Sequence, residues 1–120
     1  MKREAAIGRL RVWAERAAQE AQMADTREGK LNWQGQAQVL SSVATYLAGP
    51  GAQASDEQIW MQEVAERSNA LAAWEQVQEG PEAMAYAGVV AGYDVALTVL
   101  NDLMGRSWTV EVRGSHWVNR

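Results

Sequence analysis

Both prolines of this chain, Pro50 and Pro81, directly follow a glycine, and the two Gly-Pro steps interrupt an otherwise helix-periodic sequence. Proline lacks a backbone donor and glycine favours the left-handed cap, so no regular helix continues through Gly49-Pro50-Gly51. At Gly80-Pro81 the glycine is expected to cap one helix and the proline to open the next. So short a connection forces those two helices into an antiparallel hairpin.

Between the breaks, apolar residues recur at alternating steps of three and four, the period of an amphipathic helix. A first helix is predicted over 3–23, with Ala6, Leu10, Trp13, Ala17 and Ala24 as its stripe and Ile7, Ala14 and Ala21 widening it. Residues 25–30 contain no apolar side chain and read as a connection. A second helix is predicted over 31–48, with Trp33, Ala37, Leu40, Ala44 and Leu47 facing the core and Val39, Val43 and Tyr46 beside them. A third, over 55–79, opens on the capping box Ser55-x-x-Gln58, with Asp56 and Glu57 where the helix dipole favours anions. Its predicted apolar side is Trp60, Met61, Val64, Leu71, Trp74 and Val77. The fourth, over 81–104, is apolar nearly all round and should be the most buried. Tyr86, Val89, Tyr93, Ala96, Leu100 and Leu103 follow a heptad seam on it. Its polar strip of Asp94, Thr98 and Asn101 reads as a solvent-facing edge.

From Ser107 the period changes to two. Trp108, Val110 and Val112 alternate with Thr109, Glu111 and Arg113, and Gly114-Ser115 suits a two-residue type II′ turn. That predicts a hairpin over about 108–119, with Val112 opposite Trp117 and Arg113 opposite His116. The expected fold class is therefore mainly α: a four-helix bundle-like single domain over 1–120 with a short C-terminal β-hairpin.

The core has an unusual make-up, with six Trp, five Met and no Phe. Alanines let helices approach closely and tryptophans fill the larger gaps. Absence of cysteine excludes disulfides and thiolate metal sites, and is the pattern of a reducing, cytoplasmic compartment. The charged start Met1-Lys2-Arg3-Glu4 does not look like a signal peptide. Residues 83–100 form the most apolar stretch, yet they are rich in Ala and Gly with Asp94 near the middle, so they read as a core helix and not a membrane span.

Charge is distributed unevenly. Residues 1–30 hold seven Lys/Arg and five acids, a balance of +2, whereas 55–85 hold seven acids and Arg67 alone, a balance of −6. Opposite-signed surfaces on one chain suit self-association or complementary helix faces.

Little in the sequence speaks for catalysis. His116 is the only histidine, so neither a His-activated nucleophile nor a Glu-x-x-His metal centre is expected. Glu63 and Glu66 have that carboxylate spacing without the histidine and read as a solvated acidic face. Were the face of Asp94 buried, it would need Arg67 or Arg16 as partner, or its pKa would rise. Gly88-Val89-Val90-Ala91-Gly92 is a small-xxx-small pattern that lets a neighbouring helix pack closely. Lys2, Arg9 and Arg16 run along one edge beside Trp13, but Glu4, Glu15 and Glu20 interleave with them. Arg packing over Trp13 is expected in preference to a nucleic-acid surface. Ala14-Glu15-Arg16 recurs as Ala65-Glu66-Arg67, and Gly35 with Leu40 as Gly92 with Leu97, which hints at a duplicated helical hairpin.

These features point to a non-enzymatic, cytoplasmic protein–protein interaction module without a cofactor. Its expected partner is itself, as a homodimer or higher oligomer, or another protein; neither nucleic acid nor a membrane is expected. A two-stranded hairpin is marginal alone and has free edges, so Trp108, Val110, Val112, His116 and Trp117 are the predicted partner-binding residues. The alternatives are a small phage or mobile-element accessory protein, acting as inhibitor or structural adaptor, and a small-ligand pocket or enzyme using Asp94 and Trp residues.

Overall fold

The computed structural model describes residues 2–77 and 79–105, and beyond them only the backbone of 108–111 and 116–119. Four helices stand among the described residues: α1 (Arg3–Met23), α2 (Arg27–Ala48), α3 (Asp56–Gln76) and α4 (Pro81–Met104). α1 packs along α2, α2 along α4, and α4 along α3, with a further contact between α1 and α4. The mainly helical, bundle-like expectation therefore holds for this part. The predicted β-hairpin falls on residues whose turn and side chains lie outside the described set.

The helix boundaries follow from local chemistry. α1 and α4 occupy the spans their periodicity predicts. α2 starts four residues earlier than expected, because the Thr26 hydroxyl accepts a hydrogen bond from the Gly29 amide at 3.0 Å and turns 27–30 into a first helical turn. A capped first turn needs no apolar residue, since only its amide groups must be satisfied. Both halves of the Ser55 capping box form, at 3.1 Å to the Gln58 amide and 2.9 Å back from the Gln58 side chain. α3 ends at Gln76 and not at 79, so Gly80, with φ 95°, caps the start of α4 instead of the end of α3, and Pro81 takes the first helical position. At its other end α4 stops on Gly105 in the left-handed region, φ 65°.

The core gathers Ala6 and Leu10 of α1, Leu40, Val43, Ala44 and Leu47 of α2, Ile59 and Trp60 of α3, and Ala96, Leu97, Val99 and Leu100 of α4. α4 has the length and composition to cross a membrane, but it contacts each of the other three helices and serves as their common core element. Trp13 departs from expectation: it is 41% exposed, and the α1 stripe closes over Ala17 and Ala21 instead. Arg16 stacks over its ring at 5.2 Å, the predicted cation–π contact. Arg9, expected beside the same ring, pairs with Asp102 at 2.9 Å. Arg3 fastens the α2–α3 connection, donating to the carbonyls of Gly51, Ala52 and Ala54 and to Asp56.

The α2–α4 crossing is built from glycines. A Cβ on Gly35 would come within 3.0 Å of the backbone of Ala85 and Val89, and one on Gly92 within 2.9 Å of Val39. On Gly88 it would meet the backbone of Asn32. The small-xxx-small pattern thus serves close packing within the chain. Gly35 and Gly92 recur because each makes room for the other's helix, and Leu40 and Leu97 beside them are both buried. The two Ala-Glu-Arg segments are not equivalent, since Arg16 is exposed whereas Arg67 is buried.

Candidate functional site

α3 presents a different face from the one its apolar residues suggest. Met61 is 71% exposed and Trp74 38%, while two charged residues, Glu63 and Arg67, are buried with Ile59 and Trp60. Glu63 was expected on a solvated acidic face with Glu66; only Glu66 is exposed. The cause is register. Ile59, Glu63 and Arg67 succeed one another at steps of four, so turning Ile59 and Trp60 inward carries both charges with them.

Arg67 answers its burial through Asp94. Its Nε donates to Asp94 Oδ1 at 2.6 Å, with the Arg67 side chain 6% and the Asp94 side chain 37% exposed. The expectation that Asp94, Thr98 and Asn101 form one solvent-facing edge is corrected accordingly: Thr98 is exposed and bonds the Asp94 carbonyl at 2.8 Å, whereas Asp94 neutralises the buried guanidinium. Replacing Asp94 with Asn is expected to destabilise the protein by about 1.5–3 kcal/mol, the range for a hydrogen bond to a charged group. Urea unfolding at neutral pH measures this, and a loss below about 0.5 kcal/mol would place the pair among inert surface contacts.

The backbones of α2 and α3 do not approach closely, and a cleft of about 200 Å³ opens between them against α4. Ser42, Val43 and Tyr46 line it from α2, Gln62, Glu63 and Glu66 from α3, and Tyr93 from α4. The Tyr46 hydroxyl donates to Gln62 Oε1 at 3.0 Å, bridging the seam. The Tyr46 ring in turn occupies the space a side chain at Gly51 would need, so a glycine there is required for the ring to sit where it does.

Burial, reinforced by the neighbouring Glu66 carboxylate, pushes the pKa of Glu63 from the ordinary 4.5 up to about 7. Burial, then Glu63 and Glu66, also raise the Tyr93 phenol. Arg67 lies one turn further along α3 but is turned towards Asp94, and does not hold the Glu63 carboxyl down. Between about pH 4.5 and 7 the native protein keeps a proton that the unfolded chain releases. Stability should therefore fall as pH rises through that window. At about 1.4 kcal/mol per pH unit the full loss is about 3 kcal/mol. Glu63→Gln, which keeps the shape and removes the charge, is expected to raise stability by about 2–3 kcal/mol near pH 8 and to change it little near pH 4.5. Chemical denaturation at the two pH values tests this; equal effects at both would mean that the carboxyl is solvated.

Chemically, the cleft offers one carboxyl that exchanges its proton near neutrality, a second carboxylate at the rim and two tyrosines. Among the described residues no hydrogen bond joins Ser42 to a base, and no group of three or more Asp, Glu or His side chains is placed to hold a metal ion. The sequence signal for this site was the charged pair Glu63 and Arg67 in phase with Ile59, together with Arg67 being the lone cation of an acidic segment. The structure brings Asp94 to Arg67 at the edge of the site. It leaves Trp13 and Trp74 away from the cleft, and Trp33 and Trp60 do not line it either. The predicted partner-binding residues Trp108, Val110, His116 and Trp117 have no described side chain, and Val112 lies outside the described residues altogether.

No family model matches the chain, and neither a curated protein nor a solved structure matches it.

Proposed function

We propose that this protein is a non-enzymatic, cytoplasmic interaction module that associates with a second copy of itself, with the C-terminal tail as the principal contact. Self-association is supported by apolar surface left uncovered on α1 and α3 once the core has closed, and the tail contact by its strand edges. Met23 is 74% exposed, Met61 71%, Val12 50%, Trp13 41% and Trp74 38%. These side chains sit on α1 and α3, the helices of the basic and acidic segments, so two copies packed α1 against α3 would bring opposite charge and apolar area together. Large aromatic side chains such as Trp13 and Trp74 are the usual anchors of such contacts.

The tail adds a strand edge. The backbone register of its two extended segments, Trp108–Glu111 and His116–Asn119, supports an antiparallel hairpin with Val110 across from Trp117 and Glu111 across from His116. The Gly114-Ser115 turn predicted a register two residues further on, and residues 112–115 lie outside the described set. A two-stranded sheet has two free edges, and pairing with another copy would cover one of them.

Light scattering coupled to size-exclusion chromatography is expected to give a dimer or larger species for the full chain. Deleting residues 107–120 should leave the helical circular dichroism largely unchanged and abolish the association. A full chain that stays monomeric at high concentration contradicts self-association. A truncated protein that folds and still associates moves the interface to the α1 and α3 faces.

A further inference from the structure

The cleft between α2, α3 and α4 holds a carboxyl group that the fold has buried without giving it a partner. Glu63 is 4% exposed, lines the cleft, and has no hydrogen-bond partner among the described residues. Leaving a charged oxygen without a donor is costly in a protein interior, so a ligand bringing N–H donors gains from an acceptor that is already desolvated and in place. Glu66 stands one turn away at the cleft's edge, and no cation lines the cleft among the described residues. Arg67, one turn further along α3, is engaged with Asp94 at 2.6 Å.

The remaining lining narrows the ligand class. A hard metal ion asks for six or more oxygen ligands. Here two carboxylates face the space, and the Gln62 amide oxygen already accepts from Tyr46. An ammonium group carries three donors and no acceptor, which suits two carboxylates. Tyrosine faces attract cations and tolerate an alkyl chain, and Val43 adds apolar wall. A volume of about 200 Å³, against about 30 Å³ for one water, takes a ligand of several heavy atoms.

We propose that this cleft binds a primary alkylammonium group, with Glu63 and Glu66 accepting its N–H donors and Tyr46 and Tyr93 beside its alkyl chain. The group can arrive as a free small amine or as the lysine side chain of a partner protein. Both present the same chemistry to the cleft.

The test is an NMR titration of the 120-residue protein with n-butylammonium chloride near pH 8, above the raised pKa of Glu63, against sodium chloride at matched ionic strength. Saturable shifts at Glu63, Glu66, Tyr46 and Tyr93 are expected, with a Kd of about 1 mM for a ligand of this size. Glu63→Gln should fold at least as well as the parent, verified by circular dichroism, and weaken binding by about tenfold or more, the equivalent of losing about 1.4 kcal/mol. Shifts no larger than those with sodium chloride, or linear shifts that never saturate, would overturn the proposal. So would a Glu63→Gln protein that binds as tightly as the parent. A second titration, with Nα-acetyl-lysine methylamide, separates the two sources. Equal affinity identifies a protein lysine as an acceptable occupant, and binding of butylammonium alone restricts the site to free amines.

Discussion

Gly88→Leu is expected to destabilise the protein by about 3 kcal/mol or more, at or beyond the upper end of overpacking effects. A Cβ at Gly88 would lie 2.8 Å from the Asn32 Cα and carbonyl carbon, with the carbonyl oxygen closer still. All three are backbone atoms of α2, so no side chain can swing aside to relieve the clash. The two helices would have to separate along a crossing where Gly35 and Gly92 also hold them close. Leucine is a much better helix former than glycine, by roughly 0.8–1 kcal/mol, and that gain should be overwhelmed. Gly8 provides the control. It lies in α1, is exposed, and a Cβ there would meet nothing within 4 Å, so Gly8→Ala should stabilise by about 0.5–1 kcal/mol. Thermal or urea unfolding of both variants decides the matter. A Gly88→Leu protein within about 1 kcal/mol of the parent would show that α2 and α4 are not locked at this distance.

Truncating Leu97 to Ala should cost about 2–5 kcal/mol, the range for deleting a fully buried leucine together with the cavity it leaves. Leu97 is 0% exposed and belongs to the cluster that joins Leu10, Leu40, Leu47 and Ile59, drawn from all four helices. Such a site collapses poorly, because any helix that moves to fill the space must leave its other contacts. Leu100, 1% exposed, should behave similarly. Chemical denaturation measures both, and a loss under about 0.5 kcal/mol at Leu97 would be incompatible with a core position. Asp94→Asn and Glu63→Gln perturb the neighbouring polar seam without opening a cavity. Leu97→Ala should therefore lower stability by a similar amount at every pH, and Glu63→Gln should not.

The helices themselves were legible because their signals are local. The caps at Ser55 and Pro81 and the three-and-four spacing of apolar residues act within a few residues of one another, and tertiary context did not override them. Thr26 leaves no mark in the hydrophobic period, because its contribution lies in one hydroxyl-to-amide bond. The Gly88-to-Gly92 pattern announced a close approach, but only the fold supplied α2 as the neighbour and Gly35 as its counterpart.

The candidate site was hidden for a different reason. On α3, the apolar residues Trp60, Met61, Val64, Leu71 and Trp74 spread over a wide arc, so their spacing specifies a helix but leaves its rotation open. Tertiary packing chose the rotation that buries Ile59 and Trp60, and with them Glu63 and Arg67. Burying two charges is favourable only where a partner stands in the right place. Asp94, distant in sequence, supplies that place for Arg67, and no described residue supplies it for Glu63. Periodicity and local caps thus set the four helices of the described residues, and where each starts and stops within a few residues. Which faces meet, which charges leave water and where a cleft remains open were decided by the tertiary structure, because those outcomes depend on groups brought together across the fold.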